Sequence, residues 1–205
     1  MTLKQRIFRS LAPQFGDPHG TLGHLAGWVM ARRSSNVRRS RWAVDLLDIQ
    51  AGDRLLEVGC GPGVAIAAAA ARGGTVVGVD RSDVMVGQAR RRNRRAVRRG
   101  NVELHARGVE DLPAFDTPFD KVLAINTVGH WDDPLTGVVA LRSSLRTGGT
   151  IAIVTQPRTV NATEADTRAA ADTTAGLLGE AGFVDVRSAT LDLEPPAVCT
   201  LAIKP

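Results

Sequence analysis

The chain has 205 residues, 43% of them hydrophobic and 23% charged, a balance that suits one soluble domain with a sizeable core. Its formal net charge of +5 comes almost entirely from arginine, since Lys4, Lys121 and Lys204 are the only lysines, and the lack of tyrosine excludes a tyrosine general base. Cys60 and Cys199 form neither a CxxC pair nor a metal-ligand spacing, and no apolar run is long enough to span a bilayer or to serve as a secretory signal, so the composition implies a cytoplasmic protein with no metal site and no stable membrane insertion.

In chain order, Leu3, Ile7, Phe8 and Leu11 fall on one side of a short basic helix, a pattern that suits packing on the domain, a lid, or a membrane surface. Residues 15–33 mix glycines with apolar side chains, and residues 37–47 are predicted helical, with Trp42, Leu46 and Ile49 on one face. From Gly52 a strict alternation begins. Strand 54–58 is followed by an alanine-rich helix 64–72, strand 75–79, and helix 83–99 with Ser82 as its N-cap. Strands 102–106 and 119–125, helix 134–146, strand 150–155 and helix 164–181 follow, the last closed by Gly182. Strands 184–189 and 197–203 have only the Pro195–Pro196 turn between them and are expected to pair antiparallel. Strands alternating with helices predict an α/β protein with a doubly wound, largely parallel sheet. The expected organisation is an N-terminal helical lid or extension over 1–50 and a ligand-binding domain over 51–205.

The densest signal is LLEVGCGPG at 55–63, followed by VVGVDRS at 76–82. Gly59, Gly61 and Gly63 lie just past a strand and just before a helix, where bare backbone lets a ligand approach and the helix N-terminus favours an anionic group. Asp80, ending the next strand, is placed to accept hydrogen bonds from a ribose diol. Together they predict a site for a nucleoside carrying an acidic group. The glycine pattern is GxGxG, since Val64 stands where a dinucleotide fingerprint needs its third glycine.

These segments resemble the class I S-adenosylmethionine-dependent methyltransferases over residues 50–205. VEDLP (109–113) is similar to that family's adenine-side loop, FDKVLAINTVGHW (119–131) to its fourth strand and active-site edge, and LRTGGTIAIV (145–154) to its turn into strand five. The resemblance implies a Rossmann-like sheet of seven strands, six parallel and the last antiparallel, with S-adenosylmethionine as cofactor. It implies that Gly59, Cys60 and Gly61 lie beside the methionine and ribose, that Asp80 binds the ribose diol, and that Arg81 lies near the adenine plane. Val109 would offer a backbone N–H to the adenine with Glu110 alongside, and Asn126 would lie near the methionine amino group. The family often carries an aspartate where this chain has Gly108, so either Glu110 substitutes or the adenine is held by stacking and backbone.

A sulfonium methyl is already electrophilic, so the implied reaction needs alignment first and a base only where the acceptor must lose a proton. His130 is the candidate base and Trp131 a candidate substrate wall, with His19 and His24 as further base candidates; His130 can equally serve only to pack its loop. The run Arg90–Arg99 falls on one side of a helix opposite Met85, Val86 and Ala89, which reads as a solvated face without the aromatic residues that stack on bases. The expected function is methyl transfer to an O, N or S atom of a small, rather apolar acceptor by a monomer or homodimer. The alternatives are an RNA methyltransferase and a non-catalytic methyltransferase-like binding protein.

Overall fold

A computed structural model describes residues 34–157 and 161–205. The helix expected around Leu3–Leu11, the lid segment up to residue 33, and His19 and His24 lie outside the described residues. Helix α1 (Ser34–Leu46) leads into β1 (Arg54–Val58), α2 (Val64–Ala70), β2 (Thr75–Asp80), α3 (Asp83–Arg92), α4 (Arg94–Arg98) and β3 (Val102–Ala106). Then come β4 (Phe119–Ile125), a 3-10 turn (Val128–His130), α5 (Pro134–Ser144), β5 (Leu145–Thr155), α6 (Glu164–Glu180), β6 (Val184–Leu191) and β7 (Ala197–Ile203). The strands form one sheet in the order β3-β2-β1-β4-β5-β7-β6. The ladders from β3 through to β5 are parallel, and β7 runs antiparallel to both β5 and β6. This is the doubly wound α/β sheet that the alternation implied.

Each face of the sheet carries its own core. On one, Leu55, Val76, Leu123 and Val154 pack under α1, α2 and α3; on the other, Leu56, Val77, Val122 and Ile153 pack under α5 and α6. Alanines let α2 lie close to the sheet. A Cβ on Gly78 of β2 would stand 2.5 Å from Ile66 Cδ1 and 2.8 Å from Leu104 Cδ2, so glycine is required there by packing. Helix α1 belongs to this core rather than to a detachable extension, with Ala43 and Val44 fully buried and Leu47 at 1% exposure. Its apolar face is centred one residue past the predicted Trp42 stripe; Trp42 and Leu46 are only partly buried.

Two elements differ from the sequence-based expectation. Strand β5 starts at Leu145 rather than 150, because Gly148 and Gly149 bulge it: Phe119 pairs with Leu145, yet Lys121 pairs with Thr150. The predicted helix 83–99 is broken at Asn93. Its side-chain amide turns back to donate to Gly63 O at 3.1 Å and Ala89 O at 3.0 Å, competing with the helical ladder. The predicted N-cap Ser82 is in place, its Oγ accepting from Met85 N. Arg90, Arg91, Arg92, Arg94, Arg95, Arg98 and Arg99 are all exposed, as the helical projection required.

Asn93 is 6% exposed and ties α3 to the loop at Gly63. Asn93→Ala is expected to lower unfolding stability by ~1 kcal/mol, because the buried tie between α3 and the loop is lost while the Gly63 carbonyl keeps only the Ala67 N–H. Arg95→Glu on the solvated face should stay within about 0.5 kcal/mol. Urea denaturation midpoints at unchanged slope measure both.

Candidate functional site

Strand order reverses between β1 and β4, which opens a crevice at the carboxyl ends of those strands. The glycine loop after β1 fills its floor. Gly59, Gly61 and Gly63 all adopt positive φ (67°, 52° and 72°), a conformation that costs other residues strain. Each glycine also has a separate spatial role. A Cβ at Gly59 would lie 2.3 Å from Thr127 Oγ1, and one at Gly63 would lie 2.6 Å from Asn93 Nδ2. A Cβ at Gly61 would meet nothing within 4 Å. Gly61 is thus the glycine whose bare backbone faces open space.

The loop's own N–H groups are largely bonded within the protein. Cys60 N–H donates to Val79 O at 3.0 Å and Gly63 N–H to Cys60 O at 3.0 Å. Gly61 N–H donates to Asp80 Oδ2 at 2.8 Å, while Asp80 Oδ1 accepts from Ser82 N–H at 2.9 Å. Asp80 is therefore oriented by one main-chain donor on each oxygen, and each oxygen keeps a lone pair for a diol. Burial raises its pKa, partly opposed by the Ser82 and Gly61 N–H groups and by the Arg81 charge.

Beneath the loop lies a residue that the motif reading passed over. Glu57, on β1, is 3% exposed. Its carboxyl accepts the Ile66 N–H in the first turn of α2, and its Oε2 is buried without a partner. Burial first, and the neighbouring Asp80 second, push its pKa up to about 8. Burial, then Asp80 and Glu57, likewise push the Cys60 thiol well up. An acid within a run of strand formers was the available signal: a carboxyl on the buried face of β1 needs a reason to be there. Glu57 and Cys60 thus keep their protons beside Asp80 at neutral pH.

The remaining predicted residues lie in the loops that follow β3 and β4. Arg107 N–H donates to Asp80 O, which ties the loop after β3 to the end of β2. In that loop Val109 is 2% exposed. Glu110 Oε2 sits 2.6 Å from where a Cβ at Gly108 would be, so glycine at 108 and glutamate at 110 are complementary: a carboxylate fills the space by entering two residues later. Glu110 Oε1 also accepts from Asp132 N–H at 3.3 Å. Asn126 has φ 53° and accepts the Gln156 N–H on Oδ1 at 2.8 Å. His130 is exposed at the mouth, its N–H donating to Thr127 O at 2.9 Å, and Trp131 packs on Gly137 of α5. Among the described residues no group of three His, Cys, Asp or Glu is arranged to hold a metal ion, and no helix is long and apolar enough to cross a membrane.

Residues 55–149 match the methyltransferase-domain family. The chain is 32% identical over 184 residues to an uncharacterised methyltransferase, YdaC, of Bacillus subtilis, covering 88% of this chain and 98% of that protein. It is 33% identical over 108 residues to the O-methyltransferase resE of Aspergillus sclerotiorum, 52% of this chain and 41% of that one. Among solved structures, the N-methyltransferase NodS of Bradyrhizobium japonicum in complex with S-adenosylhomocysteine superposes with a TM-score of 0.70 at 17% identity, covering 97% of this chain and 98% of the other.

Glu57 generates a pH prediction. Its folded pKa of about 8 lies above an ordinary 4.5, so across that window the folded protein keeps a proton that the unfolded chain has released. Stability then falls as pH rises from about 4.5 to 8, at up to ~1.4 kcal/mol per pH unit, and levels off above. Asp80 persists in a Glu57→Gln variant, so the difference between the two proteins isolates Glu57. The variant is expected to gain steadily on the parent from pH 5 to 8 in urea denaturation.

Proposed function

The chain belongs to the class I S-adenosylmethionine-dependent methyltransferases, and from that premise we propose that it methylates an O, N or S atom of a small, rather apolar molecule. The residues suit the cofactor: Asp80 keeps acceptor capacity for a ribose diol, and Gly61 leaves bare backbone. Bound S-adenosylmethionine supplies an electrophilic methyl group. The chain's own task is then to hold the acceptor in line, which can contribute ~7–11 kcal/mol of barrier lowering.

The observation that carries the small-acceptor reading is the short connection after β5. Strand β5 ends at Thr155 and α6 begins at Glu164, so no substrate domain is inserted there. O-methylation by the relative resE points the same way. His130 would take the acceptor's proton where the acceptor is a hydroxyl or thiol, and Trp131 would wall the pocket from its seat on α5. The exposed arginines of α3 and α4 favour the second reading, an RNA acceptor.

Two experiments test this function. In calorimetry the protein should bind S-adenosylhomocysteine but not NAD, and Asp80→Ala should weaken binding by one or two charge-assisted hydrogen bonds, ~1.5–3 kcal/mol each. Incubation with labelled S-adenosylmethionine should methylate a member of a panel of phenols, amines, thiols and acids rather than bulk RNA. With a hydroxyl acceptor, His130→Ala should slow turnover by ~10²–10⁴-fold. Salt-sensitive RNA methylation that disappears on reversing Arg94, Arg95 and Arg98 to Glu would transfer the assignment to RNA.

A further inference from the structure

We propose that α4 is a docking surface for the phosphate backbone of a nucleic-acid duplex, a binding site in addition to the one for cofactor and acceptor. The arginines between residues 90 and 99 fall into two groups that the run itself does not distinguish. Arg90, Arg91 and Arg92 each spend a guanidinium donor on a main-chain carbonyl: Leu104 O at 3.4 Å, Gly87 O at 3.2 Å and Pro62 O at 3.0 Å. Arg94, Arg95, Arg98 and Arg99 are exposed and make no hydrogen bond or ion pair with the side chain of another described residue. Elsewhere Arg72, Arg146 and Arg168 each hold a carboxylate, of Asp45, Asp120 and Glu164. The next acid after the run, Glu103 on β3, is turned to His105 Nε2 at 2.9 Å.

The break at Asn93 sets this second group apart. Its amide, bonded to Gly63 O and Ala89 O, fixes the point from which α4 starts. At about 100° per residue the four arginines cover roughly 140° of α4. Ala96 and Val97 take the other side and pack against the core shared by α1, α2 and α3. Helix α4 also packs on β3, the strand that ends the sheet, so the four charges stand at one edge of it.

Their density and chemistry suit a duplex. Residues 94–99 span about 9 Å of helix, a length over which a duplex presents about five phosphates. A guanidinium fork meets phosphate oxygens through two parallel N–H groups. Residues 83–99 include no aromatic side chain, so unpaired bases would find nothing to stack on, whereas a duplex asks only for backbone contacts. A membrane surface fits less well. Among the described residues the exposed large hydrophobic side chains are Val139, Val184 and Val186, on α5 and on β6, the edge strand opposite β3. None of them accompanies the arginines into an acyl layer.

The test is fluorescence anisotropy of a labelled, mixed-sequence DNA duplex with the full chain in the absence of cofactor, so that its outcome does not depend on methyl transfer. Four phosphate contacts predict a slope of log affinity against log salt of about −3 to −4, a loss of about a hundredfold from about 50 to 200 mM salt. Two double reversals compare the same change of net charge at two places: Arg95→Glu with Arg98→Glu on α4, and Arg38→Glu with Arg41→Glu, two exposed arginines of α1. The α4 pair should lose at least about tenfold in affinity and flatten the slope by about two, and the α1 pair should lose less than about threefold. Unchanged urea midpoints in both report intact folds. No duplex binding by the parent at low salt would overturn the proposal. Equal losses in the two variants would overturn it as well, since net charge and not α4 would then be responsible. Tighter binding to single-stranded oligothymidine, to phosphatidylserine vesicles or to polyglutamate than to the duplex would overturn it in favour of that partner.

Discussion

The positive-φ loop between β1 and α2 is the constraint on which the rest of the site depends. It has to stay open at the point where the sheet reverses its order, and glycine by itself supplies no means of holding it. The structure supplies three, one at each glycine. Thr127 presses on Gly59, the Asp80 carboxylate holds the Gly61 N–H, and the Asn93 amide holds the Gly63 carbonyl. These restraints come from the ends of β4, β2 and α3, so they act on the loop only once those elements have packed beside β1. The flexibility apparent in GCGPG is conformational permission, not motion.

The same braces explain a chemical division across the crevice. The β1–β2 side holds Glu57, Cys60 and Asp80, all with raised pKa values and little access to water. Burying acidic groups this way works against stability, and a protein retains such an arrangement where function requires it. A bound sulfonium and ammonium would offset part of that cost by favouring the ionised forms. The β4 side carries polar contacts that run from Asn126 through Gln156 back to Arg39.

Helix α1 connects this site to the start of the described chain. Arg39 is 2% exposed and reaches Gln156, while Ala43, Val44 and Leu47 are locked into the core beside β1. A change in the position of α1 would therefore be felt at Gln156 and hence at Asn126. The division at residue 50 expected from composition alone does not describe this packing, because a chain segment can differ in composition and still supply part of the same core.

Local regularities in the sequence were enough to determine the order of strands and helices, the antiparallel return of β7, the Ser82 cap, the solvated arginine face, and Asp80 beside the glycine loop. Each follows from residue periodicity or from a conformational demand confined to a few neighbours. What only the tertiary structure decided are contacts between residues far apart in the chain. Asn93 breaks a helix because Gly63, thirty residues earlier, offers its carbonyl. Glu110 fills the space left at Gly108 through the fold of a loop, and Glu57 turns from a strand residue into a cap on α2. The inward direction of the loop's N–H groups and the unpaired donor of Asn126 belong to the same class. Hydrogen-bond satisfaction is settled by which groups the completed sheet brings within 3 Å of one another, and neither composition nor spacing carries that information.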